Sequence, residues 1–229
     1  MGSSLPAYWQ LPMKYAVLID GGFVKRKLRS GVESTSISDI TRFLDRVRAH
    51  HALESLQLYR VYWYDAPPLE GSAIRPLGGG RVDFGNTAMA RANRELLSQL
   101  SALPYVSVRR GDLVFRGWKV RSNRLPEREP SVIIRGNDIE PNIQQKGVDM
   151  RIGLDIAALT MKRHADVIVL VAGDSDFIPA MKFARREGAQ LFLVTLGHAI
   201  RPEMHEHADL ALEIPQTRRE RAKPDAHAA

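Results

Sequence analysis

Four aspartates stand where an α/β chain can do chemistry: Asp20 closing YAVLID, Asp149 in QKGVDMRIGLD, and Asp174 and Asp176 in AGDSDF. Carboxylate oxygens are hard ligands that suit Mg²⁺ or Mn²⁺, and Mg²⁺ keeps several waters while touching a few carboxylates. Aspartates forced together without a cation repel one another and resist desolvation. A divalent ion relieves both costs, acidifies a bound water and neutralises charge on a phosphoryl oxygen. The four residues thus predict a metal site for phosphate-ester chemistry.

Each member also has a simpler role. Asp176, just ahead of Phe177-Ile178-Pro179, is the expected helix cap. Asp149 near a helix start complements the helix dipole. Asp155 lies four residues after Arg151, so a surface ion pair is its expected role and it is left out of the site. Capping accounts less easily for Asp20 and Asp174, which follow apolar strands at the end where open parallel sheets bind ligands. Gly21-Gly22 and Gly173 let the backbone turn sharply and approach a ligand. Neither GxGxxG nor GxxxxGK[ST] is present, which removes the dinucleotide and Walker fingerprints. Lys146, three residues before Asp149, can reach a phosphate or orient a carboxylate. Among the histidines, His205 and His207 alternate and His198 reads as surface, so no zinc site is expected. Tyr59, Tyr62, Trp63 and Tyr64 offer stacking faces, though alternation along a strand commits at least two of them to packing. Tyr64 and Asp65, at the strand end, are best placed to approach the site.

The elements that must position these residues are legible in outline. Strands are expected at 15–19, 56–64, 167–172, 190–195 and 210–214, and helices at 36–48, 86–103 (with Met89, Leu96, Leu97 and Leu100 on one apolar face), 148–164, 177–187 and 202–208. Residues 65–85, with Pro67-Pro68 and Gly78-Gly79-Gly80, read as a long loop. Val106 to Arg109 begins a strand, and in an excursion over 110–145 Leu113 to Val120 is expected to pair antiparallel with Val132 to Arg135. Alternating strands and helices imply a mainly parallel sheet covered on both faces. Residues 1–13 are an N-terminal extension, 14–215 one domain, and 216–229 a basic tail expected to be disordered.

Bulk properties narrow the partners. A length of 229 residues suits one sizeable core. With no cysteine, disulfides and thiolate metal sites are excluded, consistent with a cytoplasmic location. No apolar run is long enough to cross a bilayer, so no membrane partner is expected. Lys and Arg number 33 against 26 acidic residues, a net charge of +7 that favours a polyanion such as nucleic acid.

Taken in order, VLIDGG, QKGVDMRIGLDIAAL and VIVLVAGDSDFIPAMKFARREGAQLFLV resemble the NYN domain family, including its LabA-like bacterial branch. The resemblance runs from about Tyr15 to Pro215 and is loose over 65–145. It implies a PIN-like three-layer α/β/α sandwich with a mainly parallel central sheet, and metal-dependent ribonuclease activity. By position, Asp20, Asp149, Asp174 and Asp176 are the implied catalytic and metal-binding residues, with Mg²⁺ or Mn²⁺ as cofactor. Lys146, Ser175, Tyr64 and Arg135 are the expected substrate contacts, Arg135 together with the basic 116–128 segment. Many relatives carry an asparagine in IDGxN where this chain has Phe23. That departure keeps a second reading open, a catalytically degenerate module that binds RNA or regulates. A phosphatase ranks last because IDGGF supplies no DxDx[TV] nucleophile. The sequence does not separate RNA from DNA, and it leaves a homodimer open.

Overall fold

In the computed structural model, residues 12–28, 35–125, 128 and 130–215 are described. Most of the N-terminal extension and the whole basic tail lie outside them.

The strand β1 (Lys14–Asp20) is buried on both faces because its odd and even residues feed two different cores. Tyr15, Val17 and Ile19 point to one side of the sheet, Ala16 and Leu18 to the other. Next come α1 (Gly21–Leu28), α2 (Ile37–Arg48) and β2 (Gln57–Asp65), then the short strands β3 (Ser72–Ile74) and β4 (Arg81–Asp83). The helix α3 (Ala88–Ala102) leads into β5 (Val106–Arg110), β6 (Asp112–Val120) and β7 (Ile139–Lys146). The last part is α4 (Val148–Met161), β8 (Val167–Val171), α5 (Ile178–Arg186), β9 (Gln190–Val194), α6 (Pro202–Glu206) and β10 (Leu210–Ala211).

Six strands form one parallel sheet in the order β10-β9-β8-β1-β2-β5. Buried residues of α1, α2 and α3 cover one face, and those of α4, α5 and α6 cover the other. This is the three-layer α/β arrangement expected from the alternating pattern. From β1 the chain first builds outward through β2 to β5, then returns to build β8, β9 and β10 on the opposite side. The order therefore reverses between β1 and β8, where their carboxyl ends open a crevice.

Local chemistry explains most boundaries. Ser36 caps α2 in a reciprocal capping box with Asp39. Ser36→Ala is expected to cost about 1 kcal/mol in chemical denaturation. Thr87 caps α3 by accepting the Ala90 N–H.

Four expectations are corrected. Gly21-Gly22 is no turn: α1 starts at Gly21, since burial of Phe23 and Val24 outweighs the poor helix propensity of two glycines. The 65–85 segment holds an antiparallel hairpin, β3 with β4. The partner of β6 is β7, not Val132 to Arg135; a polar strand containing Pro141 is hard to read because the β6–β7 ribbon lies outside the main sheet. Met89, expected on the buried face of α3, is 71% exposed, whereas Leu96, Leu97 and Leu100 are buried.

Candidate functional site

The reversal point brings Asp20, at the end of β1, beside the segment that follows β8. Asp20 is half-buried, and its Oδ1 accepts the Phe23 N–H at 3.0 Å, as an N-cap of α1 would. Asp174 is exposed and its Oδ1 accepts the Asp176 N–H at 3.0 Å, capping a 3-10 turn over Ser175–Phe177. The cap expected at Asp176 thus falls on Asp174, and Asp20 caps as well. Asp176 is exposed, and Ser175 lies half-buried between the two acids. Asp149 occupies the first turn of α4, directly after β7 ends at Lys146 and Gly147 caps the helix.

Charge links the four. The Asp149 residue is exposed, yet its carboxyl is pushed above the usual carboxylate range. Partial desolvation is the first cause, followed by the negative charges of Asp20, Asp174 and Asp176. The Asp20 carboxyl is also raised, chiefly by burial and in part by the charge of Asp65; its bonds to backbone N–H groups and the nearby Arg26 oppose the shift. The fold therefore holds four like charges close enough to feel one another. As the side chains stand, no group of three or more His, Asp or Glu among the described residues is arranged to hold a metal ion. What links the four carboxylates in this structure is charge. Asp20 and Asp174 each spend an oxygen on a local backbone donor.

Both upward shifts have a consequence for stability. A carboxyl with a raised folded pKa favours folding most when protonated, and that contribution is lost as pH rises through the raised value. Asp149→Asn, neutral at every pH, is expected to raise Tm at pH 7 in EDTA and flatten its fall above the carboxylate range. A lower Tm would show that the helix-dipole role of Asp149 outweighs the repulsion.

Other expected contacts fare differently. Tyr64 is fully buried, and its hydroxyl donates to Asp155 Oδ2 at 2.7 Å. Burial, then that bond, holds its hydroxyl well above the usual phenol range. Asp155 does not pair with Arg151; it takes Arg109 at 3.1 Å, and Arg151 turns back to the Gly147 carbonyl. Tyr62 and Trp63 are also buried, and Tyr59 is half-buried. Lys146 and Arg135 are exposed. His198 is exposed with its ring edge-on to Phe23, 5.7 Å between centroids.

Phe23 is buried, packed against the backbone beside the site. A Cβ added at Gly173 would lie 2.7 Å from Phe23 Cε2 and 2.5 Å from His198 Cδ2. His198 can swing away; the buried Phe23 ring cannot. Gly173→Ala is accordingly expected to cost about 1–3 kcal/mol by urea unfolding.

Sequence reasoning missed Lys25, Arg26 and Gln145. Asp65 is 2% exposed, and Lys25 Nζ meets its Oδ2 at 2.6 Å while also donating to Asn93 at 3.1 Å. Beside Gly22, Asp20 Oδ1, Arg26 and Gln145 come together, each within 4 Å of where a Cβ would stand. Of the basic residues in the last turn of α1, the fold sets Arg26 beside Asp20 and Lys25 against Asp65.

A profile of the NYN domain matches residues 80–212, more than half of the chain. Asp149, Asp174 and Asp176 lie inside the match and Asp20 outside it. No curated protein matches this chain. A crystal structure of a protein of unknown function from Vibrio parahaemolyticus is similar at 15% identity and a TM-score of 0.48, over 89% of this chain and 94% of that one.

Proposed function

The chain belongs to the NYN domain family, within the PIN-like nuclease superfamily, and from that premise we propose that it is a metal-dependent ribonuclease. One observation carries the reading: at the sheet's reversal point the Asp149 carboxyl is raised first by partial desolvation and then by the charges of Asp20, Asp174 and Asp176, which the fold brings within electrostatic reach of it. The donor set fits a hard divalent cation, because every candidate ligand atom is a carboxylate oxygen and their repulsion is what a cation removes. In this reading, Asp20, Asp149, Asp174 and Asp176 hold Mg²⁺ or Mn²⁺. Acidification of water and neutralisation of phosphoryl charge are the chemistry such an ion supplies.

The chain's own groups do the rest. Asp20 is held by α1, and its bond to the Phe23 N–H fixes the orientation of the carboxylate. Asp174 is fixed in the same way by the Asp176 N–H. Arg26 and Lys146 offer positive charge to the scissile phosphate from α1 and β7, and Ser175, between the two acids in the chain, offers a hydroxyl to it. Arg135 contacts the backbone farther out. Placement in the LabA-like branch rests on the KGVD and GDSDF blocks, and a cytoplasmic location on the lack of cysteine. Among the described residues no helix is long and apolar enough to cross a membrane.

The test is incubation of the purified protein with labelled single-stranded RNA and DNA, in Mn²⁺, Mg²⁺ or EDTA. Cleavage that needs the ion and prefers RNA is expected. The second reading, a degenerate binding module, is favoured by Phe23, a buried apolar ring at the position where many members of the resembled family carry asparagine. Binding that survives EDTA, without cleavage in either ion, would establish it instead.

A further inference from the structure

The β6–β7 ribbon begins at the site and leaves the main sheet. Its base pairs Asp112 with Lys146, and Gln145 beside Lys146 reaches the neighbourhood of Asp20. Three residues along β7, about 10 Å at strand rise, Ile143 stands opposite Phe115 and the register slips. Arg116 and Gly117 there stand opposite the single residue Asn142, with Trp118 next pairing Pro141. In an unbroken strand, residues three apart face opposite sides. Here the bulge, with Gly117 at φ +93, turns Phe115 and Trp118 toward each other, ring centroids 5.6 Å apart. Phe84, just after β4, joins them at 5.1 and 6.4 Å.

These three rings are half-buried, none sealed in a core. Cations surround them. Arg75 lies over the Trp118 ring at 5.7 Å, and Arg116 is exposed at the bulge with no ion pair among the described residues. Large apolar side chains also remain uncovered nearby in the chain, Ile74 at 78% and Ile133 at 79% exposed. Half-buried aromatic rings beside Arg75 and the exposed Arg116 suit a polyanion whose bases are free to stack, which a duplex hides.

We propose that the bulged β6–β7 ribbon, capped by the β3–β4 hairpin, is a cradle for single-stranded nucleic acid that leads the strand into the carboxylate site. The track rests on the nuclease reading, but binding along the ribbon does not depend on catalysis. Phosphates meet Arg116 and Arg75, and bases stack on the Phe115–Trp118–Phe84 cluster.

The test is fluorescence anisotropy of a labelled 20-nucleotide single strand with the full chain in EDTA, where no strand is cut. Trp118→Ala and Arg116→Glu are each expected to weaken binding by about tenfold. A duplex of the same length is expected to bind more weakly than the single strand. Arg116→Glu changes an exposed residue and guards against a merely collapsed ribbon; loss in Trp118→Ala alone would mean the rings only pin the hairpin, overturning the proposal. Wild-type affinity in both variants, no binding by the wild type, or equal affinity for duplex would overturn it too. The two readings fail separately. Normal Asp174-dependent cleavage with ribbon-independent binding removes the cradle alone; ribbon-dependent binding with no cleavage removes the nuclease alone.

Discussion

Asp174→Asn is expected to lower ion-dependent cleavage on the order of 10³-fold, the scale of removing one preorganised electrostatic group from a reacting phosphate. The substitution is nearly isosteric, and its remaining oxygen can still accept the Asp176 N–H that Asp174 now caps. The fold is therefore expected to survive, with Tm close to wild type. This separation matters because Asp174 has two jobs. If it were only a cap, the asparagine would preserve function, since Asn caps about as well as Asp. Retained activity in Asp174→Asn would remove it from the site. Asp20→Asn offers a parallel measurement at the opposite side of the crevice, where the carboxyl is half-buried and accepts the Phe23 N–H.

Lys25→Met is expected to destabilise the protein by about 3 kcal/mol in denaturant unfolding, the cost of leaving a buried charge without its partner. Asp65 is 2% exposed, its Oδ1 accepts the Ala66 N–H at 2.9 Å, and Lys25 supplies the nearby positive charge at 2.6 Å. The exposed pair Lys182–Glu203 is the control: its loss is expected to cost about 0–1 kcal/mol. Pairing Lys25→Met with Asp65→Leu should recover much of the loss, because no orphaned charge then remains. A single-variant loss no larger than that of the control would place the pair in water, contrary to its burial. The consequence also reaches the site, since the charge of Asp65 bears on Asp20. Lys25 thus tempers the field around the first catalytic candidate while anchoring α1 to β2.

The helices and strands carrying the aspartates follow from short-range pattern. VIVLV in β8 and YAVLI in β1 are apolar without interruption because both faces of a central parallel strand are covered, and that signature survives in a single sequence. Asp20 and Asp174 could be placed at strand ends for the same reason. The beginning of α1 was hidden because GGFVKRKL has weak helical propensity, and only its contacts in the core make it a helix. β7 was hidden because IEPNIQQK packs against a ribbon partner and has no core-facing alternation.

By itself, then, the sequence determined the α/β class, the two apolar strands at the centre, the positions of four aspartates and the basic surplus. These depend on residues near one another in the chain. Tertiary structure alone decided the capping by Asp174, the pairing of Asp155 with Tyr64 and Arg109, the burial of Asp65 against Lys25 and the turning of Phe115 and Trp118 to one face. Most of these depend on strand order and register, which bring together residues tens of positions apart; the cap and the bulge turn on local backbone geometry that residue types alone leave open.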